Sequence, residues 1–201
     1  MFFVGIFIIA FAVAITVHAG LGTTTISSIP VVWAAASGLS LGITTFIVNG
    51  FLILGQMIIL RSKFKPHMLV QFVWALLFGI LCDLCLLITT WAQTDNYALS
   101  WFWVIFATIL MSLGIFIQVL PNITFIAGEG IVAALVQVFP KMEFGSMKQI
   151  VDWTLVSIAA LISWITMGGL VGVREGTVFA AFFIGFFVNK WRKLYLRSIG
   201  Y

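Results

Sequence analysis

The sequence predicts an all-α membrane protein, with six transmembrane helices plus two half-helices arranged as an inverted 3+3 repeat. Three observations lead there. Of 201 residues, 63% are hydrophobic and 8% charged, whereas about a quarter of the residues of a soluble domain carry charge. The polar surface is too small for water, and a lipid bilayer is the solvent that suits such a chain. The apolar residues also fall in runs long enough to cross a membrane. Finally, part of the chain echoes another part. Gly42, Ile47, Val48, Asn49 and Leu52 match Gly145, Ile150, Val151, Asp152 and Leu155 at an offset of 103, and Trp74–Gly79 echoes Ala180–Gly185 at an offset of 106. Internal repeats mark many solute carriers, which place the substrate site where the halves meet.

The predicted spans are 1–19, 41–60, 68–90, 99–119, 147–168 and 176–191. The first run begins at Met1 with no basic segment before it, so it reads as a membrane helix rather than a signal peptide. Gly20–Ser40 holds three glycines, Pro30 and no charge. Pro121–Gly145 contains Gly128-Glu129-Gly130 followed by the apolar run Ile131–Phe139. Both stretches are too short or broken to span and too apolar to be solvated loops. Half-helices at about 22–37 and 127–139, protected by the other spans, account for both; helices lying in the headgroup plane are the alternative.

Orientation follows from charge. Seven of the ten basic residues lie in two clusters, Arg61, Lys63 and Lys65, then Lys190, Arg192, Lys193 and Arg197, each directly after an apolar span. The positive-inside rule puts both clusters, Lys141 and both termini in the cytoplasm, with Asp95 outside. The first repeat is then 1–92 and the second 99–193, with 194–201 as a cytoplasmic tail. Three spans per half force the second half to be inverted. Trp91, Trp101 and Trp103 anchor the outer boundary and Trp191 the inner one.

The net charge of +4 is accounted for by orientation and implies no nucleic acid as a partner. No soluble catalytic module fits in the length. Metal-ligand spacing, a nucleophile elbow and a phosphate loop are all missing, so the sequence predicts no enzyme, no cofactor and no metal. Cys82 and Cys85 read as small buried hydrophobes rather than a redox pair. An ionisable group in hydrocarbon costs at least about 2.5–3.5 kcal/mol, so each one needs a reason. Lys148 and Asp152 are four apart on one helical face. Lys148 is expected to snorkel to water near the inner membrane face, while Asp152 lies deeper and has the polar Asn49 as its repeat mate. Together Asn49 and Asp152 suggest a polar centre between the halves, or simple helix–helix hydrogen bonding. Glu129 near a helix start is favoured by the dipole and is a candidate ion ligand. Thr23, Thr24 and Thr25 offer uncharged hydroxyls opposite it. Arg174 and Glu175, adjacent in sequence, are expected to find different partners. Asp83 is a further candidate, and His18 reads as a residue of the membrane boundary.

Ala19-Gly20-Leu21-Gly22-Thr23, Gly38-Leu39-Ser40-Leu41-Gly42, Gly128-Glu129-Gly130 and Gly172-Val173-Arg174-Glu175-Gly176-Thr177 resemble the YczE/YyaS/YitT family of bacterial integral membrane proteins over nearly the whole chain. The Arg-Glu-Gly-Thr motif is the most specific part. The resemblance implies a multi-pass protein of the bacterial cytoplasmic (inner) membrane and no stated activity.

The expected function is secondary transport of a small polar solute by alternating access, with a proton or cation as candidate coupling ion. Glu129, Asp152, Asn49, Lys148, Arg174, Glu175, Thr23, Thr24 and Thr25 are the expected binding residues, with Arg174 as counter-charge. The alternative is a non-transporting scaffold or accessory subunit of another membrane complex. A homodimer stays open, since no helix face shows a decisive stripe of small residues.

Overall fold

A helix with no polar face suits a protein core or a membrane span, and α1 (Phe2–Ala19) is such a helix, with Phe3, Val4 and Phe7 exposed near its start. In the computed structural model, which describes residues 1–120 and 125–198, α1 lies at the centre with Ile6, Ile9, Ala10, Ala12, Val13 and Ile15 all buried. It crosses α5 (Tyr97–Val119) closely because Gly5 and Gly114 meet there. A Cβ on Gly5 would lie 2.8 Å from the Gly114 carbonyl, and one on Gly114 would lie 2.9 Å from Ile8.

The other helices extend outward from this pair. α4 (Gln71–Ile88) packs on α1, and α8 (Glu175–Ser198) on α5. α3 (Leu41–Leu60) packs on α4, and α7 (Phe144–Met167) on α8. Two short helices fill the space between: α2 (Ser28–Ser37) and α6 (Ala127–Val138) each touch both α3 and α7. Among the described residues there is no strand.

Two junctions use the same device. A Cβ on Gly79 of α4 would stand 2.6 Å from the Gly42 carbonyl of α3. Gly185 of α8 meets the Gly145 carbonyl of α7 in the same way. Beside each glycine pair, a polar side chain caps the neighbouring helix. Asp83 accepts the Gly42 N–H at 2.8 Å and the Ser40 hydroxyl at 2.9 Å, while Asn189 accepts the Gly145 N–H at 3.1 Å. Asp83 therefore holds the start of α3, where exposed N–H groups need acceptors. α1, α2 and α7 end on Gly20, Gly38 and Gly168 with φ of 74°, 72° and 68°, the left-handed stop that glycine adopts without strain.

Five helical stretches are long and apolar enough to cross a membrane: Phe2–Ala19, Leu41–Lys63, Pro66–Ile88, Tyr97–Val119 and Phe144–Met167. Large apolar side chains such as Phe51, Ile58, Leu87, Leu161 and Ile165 are exposed on them. That surface belongs in lipid, and the protein is a multi-pass membrane protein. The sixth predicted span lies in α8, which is not among the five. α8 is a 24-residue helix whose C-terminal part carries Lys190, Arg192, Lys193 and Arg197.

Several boundaries move. The first short helix begins at Ser28 rather than near 22, because Leu21–Thr25 is tied by its backbone to the α7–α8 loop. The predicted tail has no boundary at 194, since α8 continues through Ser198; residues 199–201 and residues 121–124 of the Pro121–Gly145 stretch lie outside the described residues. His18 is a pin between helices: its ring Nε2 donates to the Leu86 carbonyl of α4 at 2.9 Å. Cys82 and Cys85 are free and buried.

The glycine junctions are directly testable. Gly79→Val and Gly185→Val should each destabilise the protein by about 1–3 kcal/mol, the usual range for an overpacked contact. Gly169→Ala, with open space at its Cβ, should leave the thermal midpoint in detergent unchanged.

Candidate functional site

The two short helices begin inside the bundle and end at its surface. Ser28, Pro30 and Val32 of α2 are buried, and Ala35–Leu39 are exposed. The whole first turn of α6, Ala127–Gly130, is buried, and Val138–Pro140 are exposed. The segment just before α2 reaches the start of α6, where Gly128 leaves room for the Ile26 side chain against the helix backbone. A helix start holds unpaired N–H groups and a partial positive charge of roughly half a unit. Two of them brought together inside an apolar bundle favour negative charge nearby.

Negative charge is there. Glu129 stands in the first turn of α6 and is 2% exposed. On α7, Asp152 and Lys148 are both 0% exposed, and the Lys148 Nζ donates to Asp152 Oδ1 at 2.6 Å. The ammonium also acts electrostatically on Glu129. Glu129 Oε1 has no hydrogen-bond partner. Asp152 Oδ2 has none either; the Thr25 hydroxyl faces that carboxylate but falls short of hydrogen-bond geometry. The buried hydroxyls of Thr23, Thr24, Thr25 and Ser27 are likewise without hydrogen-bond partners. Buried polar atoms are nearly always paired. Six side-chain oxygens, on Glu129, Asp152, Thr23, Thr24, Thr25 and Ser27, are thus buried with unused hydrogen-bonding capacity.

Each end of this cluster is closed by a polar clasp. On one side Gln56 and Gln71 pair their amides reciprocally, at 3.0 and 2.9 Å, and Gln56 Nε2 also donates to the Ala127 carbonyl at 3.1 Å. Gly130 is required there, because a Cβ would stand 2.6 Å from Gln71 Oε1 and 2.8 Å from Gln56 Oε1. On the other side the α1–α2 segment is stitched to the α7–α8 loop. Thr23 N–H donates to the Gly172 carbonyl at 3.2 Å, Gly176 N–H to Leu21 at 2.8 Å, and Arg174 Nη1 to Gly20 at 2.9 Å. That loop folds back along α7, held by Ser163, whose hydroxyl donates to the Gly169 carbonyl at 2.6 Å and accepts the Val171 N–H at 2.8 Å.

The structure thus brings together Glu129, Asp152, Lys148 and Thr25, with Thr23 and Thr24 buried in the same segment. It corrects three expectations. Lys148 does not snorkel: α7 begins at Phe144, so Lys148 is a full turn inside the helix and the carboxylate of the next turn holds it. Arg174 is not the counter-charge of the buried acids; its side chain is 50% exposed and Lys148 fills that role. Nor do Arg174 and Glu175 find different partners. Arg174 precedes the helix, so it can turn to Glu175 at 3.4 Å. Asn49 is buried on α3 but makes no hydrogen bond to the cluster among the described residues.

Some residues went unread in the sequence. Gln56 and Gln71 carry no signal but their polarity. Two others had one: the offset of 103 also aligns Thr45 with Lys148, and the offset of 106 aligns Asp83 with Asn189. Among the described residues no three His, Cys, Asp or Glu side chains converge as a metal site requires.

Residues 1–193 match a family of unknown function, DUF6198. The chain belongs to that family. The DUF6198 match covers the same near-complete extent as the resemblance read in the sequence. No curated protein and no solved structure matches the chain.

In this DUF6198 protein the buried ion pair has a measurable signature. Lys148→Met leaves both carboxylates without a cation and should cost about 3–5 kcal/mol, whereas replacing both partners with Lys148→Met/Asp152→Leu should recover most of that loss. Thermal or denaturant unfolding of the purified Lys148→Met, Asp152→Leu and double variants checks it, and a double loss equal to the sum of the two single losses would show the pair to be uncoupled.

Proposed function

We propose that the protein is a secondary carrier of the bacterial cytoplasmic membrane that moves a small polar solute of no net charge by alternating access. The reading takes α1, α3, α4, α5, α7 and α8 as six crossings and α2 and α6 as half-helices of an inverted repeat, with both termini cytoplasmic. Its support is the paired neighbour pattern: α3–α4 with α7–α8, α1–α4 with α5–α8, and α3–α6 with α7–α2. The glycine junctions and their Asp83 and Asn189 caps fall at matched positions in the same scheme.

One observation carries the functional reading. A buried group of two carboxylates and one ammonium keeps free oxygens, faces unpartnered hydroxyls, and sits where two broken helices begin. Carriers with discontinuous helices bind their cargo at such a place. Charge decides the class of cargo. Lys148 and the nearby helix starts partly offset the two carboxylates. A cargo with net charge would break that balance in a dry interior. A zwitterion or a polyhydroxyl solute keeps it. The two clasps then serve as gates, one opening at Gln56–Gln71 and the other where Gly20–Thr23 meets Gly172–Gly176.

A panel of zwitterionic and polyol metabolites tested by thermal shift should contain a stabilising ligand, since binding to the folded state alone at a hundred times Kd adds about 2.7 kcal/mol. The shift should vanish in Glu129→Gln and Asp152→Asn and persist in Glu175→Gln. A shift indifferent to Glu129 and Asp152 would move the site elsewhere. For topology, reporters fused at Asp95 and Lys141 should land on opposite sides of the membrane; the same side would remove the inverted arrangement.

A further inference from the structure

The two glycine junctions carry very different grooves. Between α3 and α4 lies a cavity of about 160 Å³ lined by Gly42, Ile43, Phe46, Ile80 and Asp83. At the matched place between α7 and α8 lies one of about 440 Å³, lined by Ser146, Gln149, Asn189, Lys190, Lys193 and Arg197. Ser146 and Gln149 stand where the first junction has Ile43 and Phe46, at the offset of 103. Lys190 and Lys193 stand where it has Leu84 and Leu87, at the offset of 106. Helix packing alone therefore does not demand a polar groove; the first junction packs with apolar residues.

Lys190, Lys193 and Arg197 follow the i, i+3, i+7 spacing of one helical face. Among the described residues none of the three forms a salt bridge. Glu143, just before α7, does not line the groove. Three like charges along one face repel one another, and an anion between them turns that repulsion into attraction. The groove also has an apolar wall. Phe186 and Leu194 line it at 55% and 46% exposure, and Phe182, Phe183 and Ile150 continue the exposed apolar surface away from the basic end. A soluble phosphate needs no such wall, whereas acyl chains do.

We propose that the α7–α8 groove is a binding site for an anionic phospholipid, its phosphate held by Lys190, Lys193 and Arg197 with Ser146 and Asn189 as polar floor, and its chains lying along Phe182 and Phe186. Basic recesses between membrane helices recognise anionic headgroups in this way. The inference depends only on the protein residing in a membrane and is independent of the carrier reading.

The test is native mass spectrometry of the full chain in detergent, titrated with phosphatidylglycerol and phosphatidylcholine. The wild type should retain phosphatidylglycerol in preference by on the order of a hundredfold, as three neutralised charges near a headgroup imply. The preference should collapse in Lys190→Gln/Lys193→Gln/Arg197→Gln and survive in Arg61→Gln/Lys63→Gln/Lys65→Gln, which removes an equal number of exposed cations elsewhere. Lys193→Gln alone should give an intermediate loss, which keeps the test valid if the triple variant misfolds. Equal loss in both triple variants, or none in either, would overturn the site in favour of general charge attraction. Displacement of phosphatidylglycerol by inorganic phosphate at equal concentration would overturn the lipid assignment and leave a soluble phosphate as occupant.

Discussion

Three charges sit in a place where water does not reach, and most of the architecture serves to keep them there. Lys148 and Asp152 are fully buried, and Glu129 nearly so. Removing such groups from water costs several kcal/mol each even after relaxation. The compensation comes from the 2.6 Å contact between ammonium and carboxylate and, for Glu129, from its place in the first turn of α6, where the helix dipole favours an acid. Broken helices otherwise weaken a membrane protein, because their free N–H groups lack water. Here each weakness answers the other. The acids need positive neighbours, and the unpaired N–H groups need acceptors.

Around this centre the packing is spare. Pairs of glycines let α1 approach α5, α4 approach α3, and α8 approach α7, so backbones rather than long side chains set the spacing. Membrane helices associate through such close contact because lipid supplies no hydrophobic drive between them. The two halves use the same device but differ in chemistry. Thr45 and Asn49 stand in the first where Lys148 and Asp152 stand in the second. Among the described residues the bundle therefore carries one buried ion pair, on the second side only.

Much of this was legible. Length, hydropathy and basic clusters locate nearly every helix within a few residues, since a run of about 20 apolar residues has few other uses. Glu129 and Asp152 stood out because charge in hydrocarbon is rare. What failed depended on small shifts or on tertiary contact. A span read from 147 places Lys148 at the boundary, while a helix that starts at Phe144 places it one turn inside. Arg174 invited pairing with the acids, yet the α7–α8 loop directs it to Gly20 and Glu175. His18 looked solitary because its acceptor is a backbone carbonyl 68 residues away, and no side-chain pattern announces a carbonyl. Gln56 and Gln71 are 15 residues apart across a turn, and nothing in either helix says that their amides face each other.

That amide pair differs from the lysine–aspartate contact in what disturbs it. Neither Gln56 nor Gln71 has a proton to lose or gain in the biological range, and salt has little hold on two neutral dipoles. The clasp they form with α6 is therefore indifferent to acidification on either side of the membrane. Asp152 and Lys148, by contrast, attract each other as opposite charges, and the strength of that attraction depends on the dielectric around them. The bundle therefore holds two kinds of fastening side by side, one made of neutral dipoles and one of opposite charges.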